Sequence, residues 1–369
     1  MQTTLGKILV IGAALTVLGA GCGASSGSQG PDGGLFRSVD GGNTWTAQSR
    51  VLTTAATPLS FGGFDVNTFT VDPKDPKSMW VGTSANGIFY SFDGGEGWQQ
   101  AKNFAPAELQ LTTASVNNIA VDPENKCLVY ATVIAPTGKS YLIRTADCSR
   151  NWGVVYTLTD LKDAQLRSVA INPANSKQLF LGDTVGNVYR SSNAGASWEN
   201  VARFEDRAVR TIVAHPNGQT VFVGTSRGGL RASFDGGTTW GAVDLKKFAG
   251  AEEVYAIALD PAKSTSLLIG TKYGILRSDD LGTAWTALEL LTGPQETQIL
   301  SLAVSPKNSN RIYYSTPKGF YRTDDGGKSW ATKRVPTARI IKTLWVNSGL
   351  VNGVDTEFVW FGGWRPPQQ

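Results

Sequence analysis

The chain has 369 residues, 41 % of them apolar and only 17 % charged, with 42 glycines. That balance describes a folded, turn-rich protein and excludes a disordered one. The 34 basic and 30 acidic residues leave a net charge of +4 with no basic block, which argues against nucleic acid, and the single histidine, His215, weakens any histidine-dependent catalysis or metal site.

The first segment is MQTTLGK followed by an eleven-residue apolar run, ILVIGAALTVL. The run is short for a membrane span and fits the hydrophobic region of a signal peptide. Small residues then lead to Cys22 in LGAGC, which resembles a bacterial lipoprotein box, although Leu18 stands four residues before the cysteine where three is usual. The resemblance implies cleavage before Cys22 and lipidation of its thiol; an ordinary cleaved signal beside an incidental cysteine is the alternative. Residues 1–22 are therefore expected to be the leader, and the Gly- and Ser-rich residues 23–33 a flexible tether.

Seven short segments follow in phase: SVDGGNTW (38–45), SFDGGEGW (91–98), TADCSRNW (145–152), SSNAGASW (191–198), SFDGGTTW (233–240), SDDLGTAW (278–285) and TDDGGKSW (323–330). Ser or Thr opens all seven. The third position is Asp40, Asp93, Asp147, Asn193, Asp235, Asp280 and Asp325, and the eighth is Trp45, Trp98, Trp152, Trp198, Trp240, Trp285 and Trp330. Successive tryptophans are 53, 54, 46, 42, 45 and 45 residues apart. That period, with several short strands in each unit, points to a β-propeller.

Each unit has the same frame. An apolar run ends in a proline corner such as FTVDP, IAVDP, VAINP, IVAHP, IALDP or LAVSP; a second run such as MWVGT or VFVGT follows; a third runs into the motif; a fourth begins at the tryptophan. These read as strands A to D of a blade, with the motif as the C–D turn. The first unit supplies only strands C and D, from GLFRSVD onward, and the last only strands A and B, KTLWVNSG and EFVWFGG. Joined, they complete one blade. The expectation is an all-β fold: a single seven-bladed β-propeller of four-stranded antiparallel blades over 34–364, closed by a composite blade with two strands from each terminus, and a short tail at 365–369. Its A strands are expected near residues 66, 116, 166, 209, 254, 299 and 341.

The motif itself resembles the Asp-box, or BNR repeat. Its chemistry is that of a turn: Asp accepts backbone N–H groups, Gly takes a positive φ, Ser or Thr adds a local hydrogen bond, and Trp fills space between sheets. Seven such carboxylates around a ring cannot all be one active site, and one carboxylate per loop is too few for calcium. No catalytic residue, cofactor or metal is assigned. Cys127 and Cys148 both belong to the third unit, where a bend at Pro136-Thr137-Gly138 would bring them together, so a disulfide is expected there. His215 takes the Asp position of its VDP corner and reads as a corner residue.

Three families share the motif. Sialidases would need an arginine cluster and a Phe/Tyr-Arg-Ile-Pro string, for which FYRT at 320–323 is the nearest match; their rings also have six blades. Xyloglucanase-type hydrolases share the phrasing VDPKDPKSMWVGT at 71–83 but place their acids between two propellers. Photosystem II stability/assembly-factor-like propellers and sortilin-type ectodomains bind proteins or peptides without chemistry. The resemblance to this third group implies a non-enzymatic binding protein; the leader and lipobox add the expectation that it is membrane-tethered and extracytoplasmic, and a monomer is expected. Its protein or peptide partner would bind at the mouth of the channel, with carbohydrate as the alternative; the basic residues there read either as a seat for an acidic partner or as an ordinary solvated surface. The mouth is expected to be lined by residues leading into the A strands, among them Asn117, Arg167, Arg210, Tyr255, Gln298 and Lys342. A hydrolase would instead need two convergent carboxylates from Asp65, Asp183, Glu252, Glu253 and Glu296.

Overall fold

A computed structural model describes residues 32–366 apart from 54–58, 103, 160–163, 206 and 352. Cys22, the leader and nearly all of the tether lie outside the described residues, as do 367–369 of the tail.

Seven antiparallel sheets form a ring, each in the order A-B-C-D. Numbered from the first complete unit, their A strands are Val66–Val71 (blade 1), Ser115–Asp122 (blade 2), Leu166–Asn172 (blade 3), Val209–Ala214 (blade 4), Val254–Leu259 (blade 5), Ser301–Ser305 (blade 6) and Ile340–Val351 (blade 7). Blade 7 is the composite one. Its strand B, Val354–Trp364, pairs with strand C, Gly34–Ser38, in the register Gly34↔Gly363 to Ser38↔Val359. The sheet thus joins the two ends of the chain and leaves no open edge in the ring.

Arg339 locks this closure. Its side chain is buried, with Nη1 2.6 Å from Asp65 Oδ1 and Nη2 2.8 Å from the Gly63 carbonyl. It also pairs with Asp32, which Arg365 contacts at 3.0 Å, while the Arg365 N–H donates to Asp65. Asp65, one of the carboxylates a hydrolase would draw on, is thus bound with Arg339 in a structural clasp between the chain ends and the first blade.

The core is divided into seven apolar clusters, one between each pair of neighbouring blades. Close approach depends on glycine in strand B. A Cβ on Gly224 would meet Val254 of the next blade at 2.8 Å, and the same holds for Gly270 against Ile299 at 2.7 Å. Blade 2 carries Thr132 at this position, and its buried hydroxyl has no partner.

Two departures from the expected regularity occur on the outer side. Blade 2 has a fifth strand, Phe104–Ala105, running parallel to strand D at Trp152–Gly153. The long connection into blade 1 contributes a small hairpin, Arg50–Val51 with Leu59–Ser60. Blade 6 begins its A strand at Ser301, two residues after the expected start.

Candidate functional site: the channel mouth

The seven motifs fold alike. In every copy the first-position hydroxyl donates to the third-position Oδ1 at 2.7–3.0 Å and accepts the fifth-position N–H at 2.7–3.1 Å. The seventh-position N–H donates to the same Oδ1 at 2.9–3.0 Å. The fourth and fifth residues both have positive φ, a point the sequence pattern shows only for the fifth; Cys148, Ala194 and Leu281 hold the fourth position without being glycine. Burial pushes the Asp40 carboxyl up, but hydrogen bonds from Thr44, Ser38 and Asn43 outweigh it and bring it down to about 2. The Thr239 and Ser233 bonds hold Asp235 below the carboxylate range, and the Ser329 and Thr323 bonds do so for Asp325. Such carboxylates stay ionised and are held by their own turns, which suits a backbone brace and not a proton-exchanging acid.

The tryptophans are less uniform than expected. Trp98, Trp152 and Trp285 are buried, whereas the other four are half-buried. Four indoles donate to the carbonyl of their own turn, Trp45 and Trp330 reach carbonyls of a neighbouring segment, and the Trp152 N–H has no partner. Trp152 belongs to the most divergent motif, whose Cys148 is disulfide-bonded to Cys127 across the strand B–C hairpin. His215 fits its corner as a neutral ring: Nδ1 accepts the Asn217 N–H at 3.1 Å, so Nε2 donates to the Ser264 carbonyl at 2.7 Å.

The opposite face is built differently. Six A strands carry a bulge one residue after their first core position, and the extra residues are Asn67, Asn117, Arg167, Arg210, Tyr255 and Lys342. A bulge frees one residue from the ladder and re-aims its side chain, so one backbone device presents six side chains of four kinds at the start of the inner strands. Blade 6 has Leu300 at the corresponding place, and Gln298 lies in the preceding connection, exposed.

These groups divide into spent and unspent. Asn117 donates to the Leu166 carbonyl at 2.8 Å and so bridges blades 2 and 3. Tyr255 donates to Glu253 at 2.7 Å, and Arg210 stacks over the Tyr255 ring at 4.1 Å with its other end 3.5 Å from Glu253. Arg210 Nη1 is buried without a partner. Lys342 donates to Asn67 at 3.3 Å and sits 4.6 Å over the Trp364 ring. Burial and the charge of Arg167 push its amine down to about 8, against the opposing pull of Asp65. Desolvation by the surrounding strands, then the charge of Arg210, also lowers Arg167, but its side chain remains open to solvent, and no hydrogen bond or ion pair to it occurs among the described residues.

A further arginine escaped the sequence reading. Arg231 of blade 4 occupies the strand C position held elsewhere by Phe36, Phe89, Ile143, Tyr189, Leu276 and Tyr321. It lies 5.4 Å over Phe204, its Nε is buried without a partner, and burial together with Arg207 lowers its pKa. Aligning the seven C strands would have exposed this one charge in an apolar column.

The carboxylates a hydrolase would need are engaged. Asp65 serves the clasp. Asp183 is fully buried and accepts from Val185, Asn187 and Tyr189. Glu252 accepts the Gly250 N–H, and Glu253 holds Tyr255, Arg210 and Lys272. Glu252 and Glu296 both stand exposed on their loops, and of the two only Glu252 has a hydrogen bond to its carboxylate among the described residues. Among the described residues no group of three or more His, Cys, Asp or Glu could hold a metal ion, and no helix is long and apolar enough to cross a membrane.

No protein-family model and no curated protein matches the chain. Solved structures do. A GH74 xyloglucanase from Xanthomonas campestris superposes with a TM-score of 0.65 at 16 % identity over 82 % of this chain and 51 % of its own, so the chain spans about half that enzyme. YCF48 from Cyanidioschyzon merolae gives 0.55 at 16 % identity over 81 % of this chain and 96 % of its own. A YCF48 bound to D1 peptide gives 0.57 at 15 % identity, covering 81 % and 93 %. The protein is a seven-bladed β-propeller with Asp-box turns, and at these identities the likeness extends to the fold alone.

Proposed function

We propose that this is a non-enzymatic binding protein whose channel mouth takes an acidic peptide or protein segment. We further propose that Cys22 carries a lipid that holds it on the outer side of a bacterial membrane. The observation that carries the reading is a charge imbalance built into the inner strands. Strand A bulges free Arg167, Arg210 and Lys342 from the ladder, only Glu253 stands within ion-pair distance of any of them among the described residues, and Arg207 and Arg231 add two further cations beside blade 4. Unbalanced, partly desolvated cations are costly unless a partner supplies the missing charge. A neighbour in structure, YCF48, has been solved with a peptide bound, which supports a peptide-binding use of such a ring. The engaged state of Asp65, Asp183, Glu252 and Glu253 weighs against the alternative of a glycoside hydrolase, which requires two carboxyl groups free to exchange protons.

The test uses residues 23–369 as a soluble domain, in affinity capture from an envelope extract and in fluorescence anisotropy with acidic and basic peptides of equal length. Acidic peptides are expected to bind, with affinity that falls as salt rises. Replacing Arg167, Arg210 and Lys342 together by glutamate should abolish that binding; unchanged affinity in the triple variant would remove the mouth from consideration.

A further inference from the structure

Strand D is the outermost of a blade's four strands, so its far edge presents unpaired backbone groups unless something covers it. Two of these edges are covered by the chain itself. In blade 1, Val51 bridges Trp98 in parallel: the Trp98 N–H donates to the Arg50 carbonyl at 2.9 Å, and the Leu52 N–H donates to the Trp98 carbonyl at 2.7 Å. In blade 2, Phe104–Ala105 runs parallel to Trp152–Gly153. Each cover comes from the connection into the same blade, residues 48–65 and 101–114. Blade 4 has the same kind of edge at Trp240 and strand D, Gly241–Ala242, and no hydrogen bond reaches the Trp240 backbone among the described residues. Its own connection has only five residues, 204–208. Five residues span about 17 Å at most, which the step from the outer edge to the inner strand of a four-stranded sheet already consumes. A cover for blade 4 must come from elsewhere.

A cavity of about 610 Å³ runs along this bare edge. A smaller one, about 450 Å³, lies at the equivalent place in blade 2. In these two blades glycine follows the motif tryptophan, where the others carry Thr46, Gln99, Glu199, Thr286 and Ala331. A Cβ on Gly241 or Gly153 would meet nothing within 4 Å. The exposed Phe234, Val243 and the Gly282–Thr283 turn of blade 5 wall the blade 4 cavity. Residues 240–243 carry no charge that would guard the edge.

We propose that the outer edge of blade 4 is a second binding site, independent of the channel mouth, that takes an extended segment of a partner protein as an added parallel strand. Blade 1 supplies the template. One carbonyl of the segment accepts the Trp240 N–H, and the N–H two residues later donates to the Trp240 carbonyl, as Arg50 and Leu52 do with Trp98. Between those two, Val51 packs on the apolar cluster that holds Trp98. Leu52 lies on Gly97, where an added Cβ would meet its Cδ2 at 2.7 Å. Side chains alternate along a strand, so the residue opposite Trp240 packs on the half-buried indole and the next one enters the cavity beside Gly241. The partner segment is therefore apolar at two successive positions, with no proline at the second, whose N–H is needed. Main-chain bonds supply the affinity and the cavity selects the side chain.

The probe is a fluorescent heptapeptide, QSRVLTT, the blade 1 cover at residues 48–54, titrated with residues 23–369 and followed by anisotropy. Saturable binding is expected. Ala242→Pro removes the next outward N–H of the edge, because the Val243 N–H already donates inward to the Leu230 carbonyl. Gly241→Leu fills the cavity at a position where a side chain has room. Each should weaken binding about tenfold. The same peptide N-methylated at its leucine loses the donor to the Trp240 carbonyl and should bind wild-type protein about tenfold more weakly, a control that needs no variant. No saturable binding, or equal affinity for the N-methylated peptide or for both variants, overturns the site. Wild-type dimers in sedimentation that Ala242→Pro dissolves would assign the edge to a second copy and overturn the partner assignment. The triple glutamate variant of Arg167, Arg210 and Lys342 should bind the heptapeptide as the wild type does. Loss of binding there would place the peptide at the mouth and overturn the edge, whereas loss in the blade 4 variants alone leaves the proposed function untouched.

Discussion

The two faces of the ring use repetition in opposite ways. On one face the backbone turn and the side chains repeat together, and each Asp-box satisfies its own hydrogen bonds. On the other face the backbone bulge repeats but the side chain it presents changes around the ring, from Asn on blades 1 and 2 to Arg on blades 3 and 4, Tyr on blade 5 and Lys on blade 7. The first arrangement stores stability. The second leaves a buried Arg210 N–H unsatisfied, which lowers stability, and holds Arg167 open to solvent without a protein partner among the described residues, as a binding surface requires. The lesson is that, in a repeat protein, the place to look for function is where backbone periodicity survives and side-chain periodicity fails.

That contrast predicts stability changes of opposite sign. The largest concerns the Asp-box face: Cys127→Ser opens a disulfide closing 21 residues of chain and should cost about 3 kcal/mol by the loop-entropy relation, read as a lower denaturant midpoint at unchanged slope. Lys342→Met keeps the aliphatic stem over Trp364 and removes the repelled charge. It should stabilise the domain by about 1–2 kcal/mol, the smaller part of what a shift to about 8 would give, because channel water screens the amine. A loss of stability in this variant would contradict the picture of a strained mouth. Asp40→Ala should cost about 1 kcal/mol through the lost turn bonds, whereas Asp40→Asn should cost less than half of that. Asn193 already shows that an amide supports the turn, accepting from Ser191 and Ser197 and donating to the Ser197 hydroxyl.

Much of the fold was legible in the sequence because its determinants are local and repeated. The Asp-box spacing, the proline corners and the split first and last units give blade number, strand order and the mode of closure, and six of the seven A strands start within one residue of the positions expected. The fifth strand of blade 2 was not legible, since Phe104–Ala105 pairs with a strand nearly fifty residues later and carries no period of its own. At the site, sequence spacing located Arg167, Arg210, Tyr255 and Lys342 near the mouth but could not separate them by use. Asn117 is consumed in an inter-blade bond, Gln298 stands off on a loop, and Asp65 and Arg339 are drawn into the clasp, all through contacts between residues distant in the chain. Arg231 was missed because a lone arginine in a strand reads as exposed until its column is compared across blades.

The pH profile of stability separates the two faces most finely. Asp40 has a folded-state pKa of about 2 against an ordinary value of 3.8, so its contribution is complete above that ordinary value and is lost as pH falls through the folded one. Lys342 works in the reverse sense. Its folded pKa of about 8 lies below the ordinary 10.5, so the unfolded chain binds the proton more strongly and the penalty is fully present below pH 8. Between pH 8 and 10 the unfolded state holds more protons, and stability should rise by about 1 kcal/mol. Above pH 10 the buried tyrosines take over: burial raises Tyr313, Tyr314 and Tyr189, the unfolded chain ionises first, and stability should fall again. Chemical denaturation across pH 7 to 11 is therefore expected to show a maximum near pH 10. In Lys342→Met the rising limb should vanish while the high-pH limb remains. A wild-type profile flat or falling from pH 8 would mean that the amine is not strained in the folded ring, and the mouth would lose the property that distinguishes it from the opposite face.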